Sequence, residues 1–104
     1  MNEIRFPFSD TIAGYVQSYD RNQDSYTVKT SGGREFRVKL KGNTYAQLVR
    51  NLGDPYQDAT GAMRDMLVPG RYVFTYGTYY PEGGDEVFEA QYLVFVGRRE
   101  GEFV

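Results

Sequence analysis

The chain has 104 residues, with 12 Lys+Arg against 14 Asp+Glu for a net charge of −2, no His, no Cys, no Trp, and 10 Tyr beside 7 Phe. At that length one small domain is expected. Lacking His and Cys, the chain has no histidine acid/base, thiol nucleophile, Cys/His zinc site or disulfide, so its stability rests on a core to which Tyr and Phe bring large buried areas.

Residues 12–19, Ile-Ala-Gly-Tyr-Val-Gln-Ser-Tyr, read as a first strand, in which Gly14 permits sharp coiling or a bulge. Asp20-Arg-Asn-Gln-Asp24 has turn composition, and residues 25–30 follow as a second strand with Tyr26 and Val28 on one face. Ser31-Gly32-Gly33 suits a tight hairpin. In the third strand Phe36, Val38 and Leu40 alternate with Glu35, Arg37, Lys39 and Lys41. From Thr44 the spacing of Tyr45, Leu48, Val49 and Leu52 predicts a short amphipathic helix, with Asn43 or Thr44 as N-cap and Gly53 as its stop. Asp58 then opens a further helical turn or two carrying Ala62, Met63, Met66 and Leu67, ended by Pro69-Gly70. Residues 71–80 and 87–96 are dense in β-branched and aromatic residues and form a last hairpin across Pro81-Glu-Gly-Gly-Asp85.

This order predicts a mainly β protein: a small five-stranded antiparallel barrel with one or two short helices between its third and fourth strands, the helix plugging one end. The order resembles the OB fold; an open five-stranded sheet or another small barrel would give the same string. A single OB-like domain spans 1–104, its core running from about 10 to 97. No apolar run is long enough to span a membrane, and Met1-Asn2-Glu3-Ile4-Arg5 lacks the layout of a signal peptide, so a cytoplasmic setting is expected.

Charge is asymmetric in one place. Lys29, Arg34, Arg37, Lys39 and Lys41 face a single Glu35 within residues 29–41, which makes one hairpin basic on an otherwise acidic chain. Cations beside aromatics suit single-stranded nucleic acid, the former meeting phosphates and the latter stacking on bases. Tyr15, Tyr26, Lys29, Arg37, Lys39 and Lys41 are the candidates for that role, while the same residues also read as solubilising side chains on a strand's solvent face. The segment Tyr72, Phe74, Tyr76, Tyr79, Tyr80 reads first as core with hydroxyls at the barrel rim, and second as a platform for sugars or bases. Tyr79 and Tyr80 point to opposite sides of a regular strand, so one of them is exposed beside Pro81 as a partner contact.

Other constellations fail. The carboxylates Glu82, Asp85, Glu86 and Glu89, and Asp54, Asp58 and Asp65, read as turn formers and solvated charges rather than an acid/base pair. Asp20, Asn22 and Asp24 start like a calcium loop, but Ser25 stands where that loop needs Gly. The Gly-Gly pairs lack the Lys-Ser/Thr of a phosphate loop. No catalytic residue, metal site or cofactor is assigned.

Phe8-Ser-Asp-Thr-Ile-Ala-Gly-Tyr15, Asn51-Leu-Gly-Asp-Pro-Tyr-Gln-Asp-Ala-Thr60, Met66-Leu-Val-Pro-Gly-Arg-Tyr72, Tyr80-Pro-Glu-Gly-Gly-Asp85 and Val94-Phe-Val-Gly97 are distributed along nearly the whole chain. They resemble the N-terminal region of long bacterial proteins in which a small β domain precedes a helical barrel similar to the N-acylglucosamine 2-epimerase family. That family's isomerising chemistry depends on histidines and acids of the helical barrel, and this chain has no His, so no catalytic residue carries over. The resemblance implies an accessory domain, excised from a longer chain at the charged ending Arg98–Val104, whose partner is the C-terminal helical domain of the parent. The expected work is docking or ligand presentation, with carbohydrate a candidate ligand and Tyr79 and Tyr80 among the contacts; single-stranded nucleic-acid binding is the alternative. Exposed strand edges leave a dimer open.

Overall fold

The computed structural model describes residues 10–51, 53–82 and 85–97, excepting the side chains of residues 80–82, 85 and 86. Seven strands follow in order: β1 (Asp10–Asp20), β2 (Ser25–Lys29), β3 (Glu35–Lys39), β4 (Tyr45–Val49), β5 (Gln57–Asp58), β6 (Tyr72–Glu82) and β7 (Asp85–Val96). Strands β1, β2 and β3 form an antiparallel meander, β1 also pairs antiparallel with β6, and β6 with β7. Parallel pairing of β3 with β7, Val38 opposite Phe88, closes the five-stranded barrel with the connectivity expected of an OB-like fold.

The segment expected to be a helix from Thr44 is instead strand β4. It lies parallel to β7 over five residue pairs, from Tyr45 opposite Tyr92 to Val49 opposite Val96, on the same β7 edge that β3 uses further back. Two patterns coexist in Tyr45-Ala-Gln-Leu-Val49, and the edge of β7 selects the period of two, turning Ala46 and Leu48 into the core. The Thr44 hydroxyl fixes the entry, donating to the Ala90 carbonyl at 2.8 Å while accepting from the Lys41 N–H at 2.8 Å. The short helical turns are found further on, as 3-10 turns at Thr60–Ala62 and Arg64–Met66. The Asp58 carboxylate accepts from the Thr60 hydroxyl at 2.9 Å ahead of the first. Met63, Met66 and Leu67 from this segment are buried in the core, so it supplies the expected plug.

An ion-pair hub at the surface ties plug to barrel. Arg64 donates Nε and Nη2 to the two Asp24 carboxylate oxygens at 2.8 and 2.7 Å, and the Tyr19 hydroxyl donates to the same carboxylate at 2.7 Å. The Asp24 backbone carbonyl accepts from the Leu40 N–H, so one turn residue, at φ 52°, contacts β1, the end of β3 and the plug. The guanidinium holds the Asp24 carboxyl below its ordinary range, and the same bond raises Arg64.

The barrel coils at two bulges. Gln17 is the extra residue on β1 between Val16 and Ser18, and Gln91 the extra residue on β7 opposite Tyr76 and Gly77. Near each, strands approach too closely for a side chain: a Cβ at Gly14 would overlap the Lys29 carbonyl oxygen, and one at Gly77 the Glu89 carbonyl oxygen. Among the described residues no helix is long and apolar enough to cross a membrane.

Two outcomes follow from this packing. Gly14→Ala and Gly77→Ala should each cost about 3 kcal/mol in urea unfolding, whereas Gly61→Ala, which has open space at its Cβ, should stay within about 0.5 kcal/mol of the parent. Because the folded-state pKa of Asp24 is depressed, its contribution is complete above the ordinary carboxylate pKa and is lost as pH falls through the lower folded value. Asp24→Asn should therefore flatten the acid limb of a stability–pH profile and cost about 1 kcal/mol at neutral pH.

Candidate functional site

The residues singled out by sequence separate into three regions. Lys29, Arg37 and Lys39 share the outward face of β2 and β3, alternating with the core residues Tyr26, Val28 and Val38. Carboxylates accompany them: Glu35 lies opposite Lys29, and Glu89 lies opposite Lys39 while pairing with Lys41 at 3.2 Å. The Arg37 guanidinium donates to the Gln23 side chain.

Tyr26 does not belong to any surface site, contrary to the expectation from sequence. It is 1% exposed, packs inside the barrel, and shares a hydrogen bond with the fully buried Thr75 hydroxyl. Burial pushes its phenol far above the ordinary value, the bond to Thr75 working against that shift. No aromatic ring therefore interleaves with the cations on β2 and β3; Tyr15, 51% exposed and opposite Lys29, stands at their border.

The aromatic surface lies on the other side of the barrel. Tyr72, Phe74 and Tyr76 were expected chiefly as core, yet they alternate with the buried Val73 and Thr75 and point outward. Strand register aligns them in rows: Tyr15–Tyr72–Val96, then Ala13–Phe74–Val94, then Tyr76–Tyr92–Tyr45. In the third row Tyr45 stacks on Tyr92 at 4.6 Å and Tyr92 faces Tyr76 at 5.3 Å, with interplanar angles of 26° and 23°. These rings lie against one another like a ladder, so the ladder's open ring faces are those of its end members. The Tyr92 hydroxyl donates to Gln47 Oε1 at 2.6 Å. Burial, with a smaller effect of the neighbouring Tyr56 phenol, raises both Tyr76 and Tyr92. Val94, on the outward face between Leu93 and Phe95, is only 3% exposed beneath this layer. Tyr45 and Tyr56 remain 45% and 51% exposed. Neither was a candidate from sequence, since Tyr45 was placed on a helix, and only the parallel register of β4 on β7 brings it to Tyr92.

At the first row the rings are perpendicular, Tyr15 to Tyr72 at 78° and Tyr72 to Phe74 at 78°. A cleft of about 360 Å³ opens there between Tyr15, Tyr72, Val96 and the Val68–Arg71 turn.

Tyr79 occupies the third region, the barrel mouth. It sits opposite Phe88, on that residue's face, packs edge-on against it at 5.0 Å and at a tilt against Phe36 at 6.4 Å, yet is 38% exposed. Tyr80 pairs with Val87 through its backbone, and its side chain lies outside the described residues. Sequence thus brought Arg37 and Tyr79 into the candidate set separately; both border one cleft, with Arg34 and Phe36, which that set omitted. Among the described residues no three acidic side chains gather to hold a metal ion.

No protein-family model, curated protein or solved structure matches the chain.

The raised phenols of Tyr26, Tyr76 and Tyr92 carry a pH dependence. Above pH 10 the unfolded chain releases these protons before the folded one, so stability should fall as pH rises further. Urea midpoints at pH 9 and above 10 should show this decline, and Tyr26→Phe should make it shallower.

Proposed function

We propose that this barrel is a non-catalytic docking or ligand-presenting module whose working surface is the outer face of β1, β6, β7 and β4. The observation that carries the reading is the tyrosine ladder Tyr45–Tyr92–Tyr76, ordered by strand register on the outside of the sheet with Tyr45 and Tyr56 open to solvent. Rigid aromatic rings with hydroxyl tips offer contact area at low entropic cost and hydrogen bonds at the rim, the composition of protein interfaces. The partner proposed is another protein surface: ring faces turned on one another leave edges and hydroxyls outward, and a sugar ring would find a stacking face only at the ladder ends. In the setting that the sequence resemblance implies, an accessory domain of a larger bacterial protein with an epimerase-like helical barrel, this face would seat the module on its parent.

A second reading, single-stranded nucleic-acid binding, draws on the shared outward face of Lys29, Arg37 and Lys39. The adjoining Glu35 and Glu89 and the net charge of −2 work against a polyanion there.

Two measurements separate these readings. Under the docking reading Tyr45 and Tyr56 react with tetranitromethane in the 104-residue chain and are protected in the longer protein; equal reactivity in both overturns it. Fluorescence anisotropy with labelled single-stranded DNA and RNA should show no binding that follows several phosphates. A logarithmic salt slope near −2, as for about three neutralised phosphates, abolished by the Arg37→Ala/Lys39→Ala pair, would favour the second reading instead.

A further inference from the structure

The barrel mouth, opposite the plug and apart from the proposed docking face, has a chemistry of its own. Phe36, Tyr79 and Phe88 line its wall, and the Arg34 guanidinium carbon lies 4.9 Å from the centroid of the Phe36 ring. The cleft measures about 210 Å³, below the roughly 300 Å³ at which pockets for drug-sized ligands begin, so one planar ring is its natural occupant. An exposed guanidinium resting on an aromatic ring is a stacking surface as well as a cation, and bases stack on arginine planes as they do on aromatic rings.

A second cation stands at the rim. Arg37 borders the cleft, and its guanidinium bonds the neutral Gln23 side chain in an exposed position. A charge-assisted bond to an anion is stronger than one to a neutral amide. Glu35 also borders the cleft and stands opposite Lys29 in strand register. The mouth therefore combines a slot for one ring with two arginines beside it, a pattern sized for one base and one phosphate rather than for a track of phosphates.

We infer that the barrel mouth binds a single nucleotide, its base held by Tyr79 and the Phe36–Arg34 stack and its phosphate by Arg34 and Arg37. The chemistry is the same whether the nucleotide is free or is the phosphorylated end of a strand. The inference is independent of docking on the tyrosine face, because none of these side chains belongs to that face.

The test is a titration of the isotopically labelled 104-residue chain with AMP and UMP, followed by NMR. Saturable shifts confined to Arg34, Phe36, Arg37, Tyr79 and Phe88 are expected, with the unphosphorylated nucleosides about tenfold weaker. Arg34→Gln, an exposed change that leaves the fold intact by its unaltered spectrum elsewhere, should weaken AMP about tenfold and the nucleosides, which lose only the stack, distinctly less. A trinucleotide with a 5′-phosphate that binds as tightly as AMP identifies a strand end as the source, and one that binds far more weakly identifies the free nucleotide. The inference is overturned if millimolar AMP moves none of these signals, if inorganic phosphate alone reproduces the shifts with equal affinity, or if Arg34→Gln binds AMP as the parent does.

Discussion

The barrel depends on two places where one strand's backbone lies against its neighbour's carbonyl. At Gly14 the partner is Lys29, at the end of β2, and at Gly77 it is Glu89, in the middle of β7. A closed barrel of so few strands must coil each strand strongly, and coiling brings backbone into the space a side chain would occupy. The bulges at Gln17 and Gln91 supply the local twist beside these contacts. The bulge at Gln91 also preserves the facing of both ends of β7: Leu93 and Phe95 point inward on one side of it, Ala90 and Phe88 on the other. Tyr92 can therefore point outward beside Tyr76 while Phe88 still reaches the core under Tyr79. The outer ladder and the aromatic mouth are thus two consequences of one backbone irregularity.

The lower end of the barrel is closed by chemistry of a different sort. The 3-10 turns are too short to hold their own conformation by hydrogen bonding. They are placed by buried Met63, Met66 and Leu67 and by the bidentate Arg64–Asp24 bond, with Tyr19 sharing the carboxylate. Asp24 adopts a positive φ, tolerated by Asp better than by most residues, and from there its carbonyl also receives the Leu40 N–H. Exposure of the pair limits its electrostatic worth. Its larger effect is geometric, since a fork-to-fork contact fixes orientation as well as distance.

Much of the fold was legible because alternation and punctuation are local signals. The five barrel strands read from sequence agree with β1, β2, β3, β6 and β7 to within two residues at most ends, and Met63, Met66 and Leu67 were correctly grouped beyond Asp58. Strand β4 was not legible, because Tyr45-Ala-Gln-Leu-Val49 carries both periods and Ala46 is too small to announce the strand face. What decides is an edge of β7 more than forty residues away, a non-local partner that propensity does not encode. The same blindness governs the site. The outward placement of Lys29, Arg37 and Lys39 followed from alternation, whereas Tyr26 was read on the surface although it shares the inward parity of Val28. Tyr45 with Tyr92, and Phe36 with Tyr79, meet only through the pairing of strands distant in sequence.

Charge then separates the surfaces that the sheet creates. On the outward face of β2 and β3 each lysine stands beside a carboxylate, Lys29 by Glu35 and both Lys39 and Lys41 by Glu89, so little net field remains to attract a long polyanion. At the mouth the geometry differs: Arg34 lies beyond the paired residues of β3 and over an aromatic ring, while Glu35 stands opposite Lys29 in strand register. A guanidinium is more weakly hydrated than an ammonium and can present donors from its edge while its face is stacked. Five cations in thirteen residues therefore do not make one basic patch. The sheet divides them into a compensated face and a mouth where cation and aromatic ring act together, and that division is what makes recognition of one nucleotide a different proposal from binding along a strand.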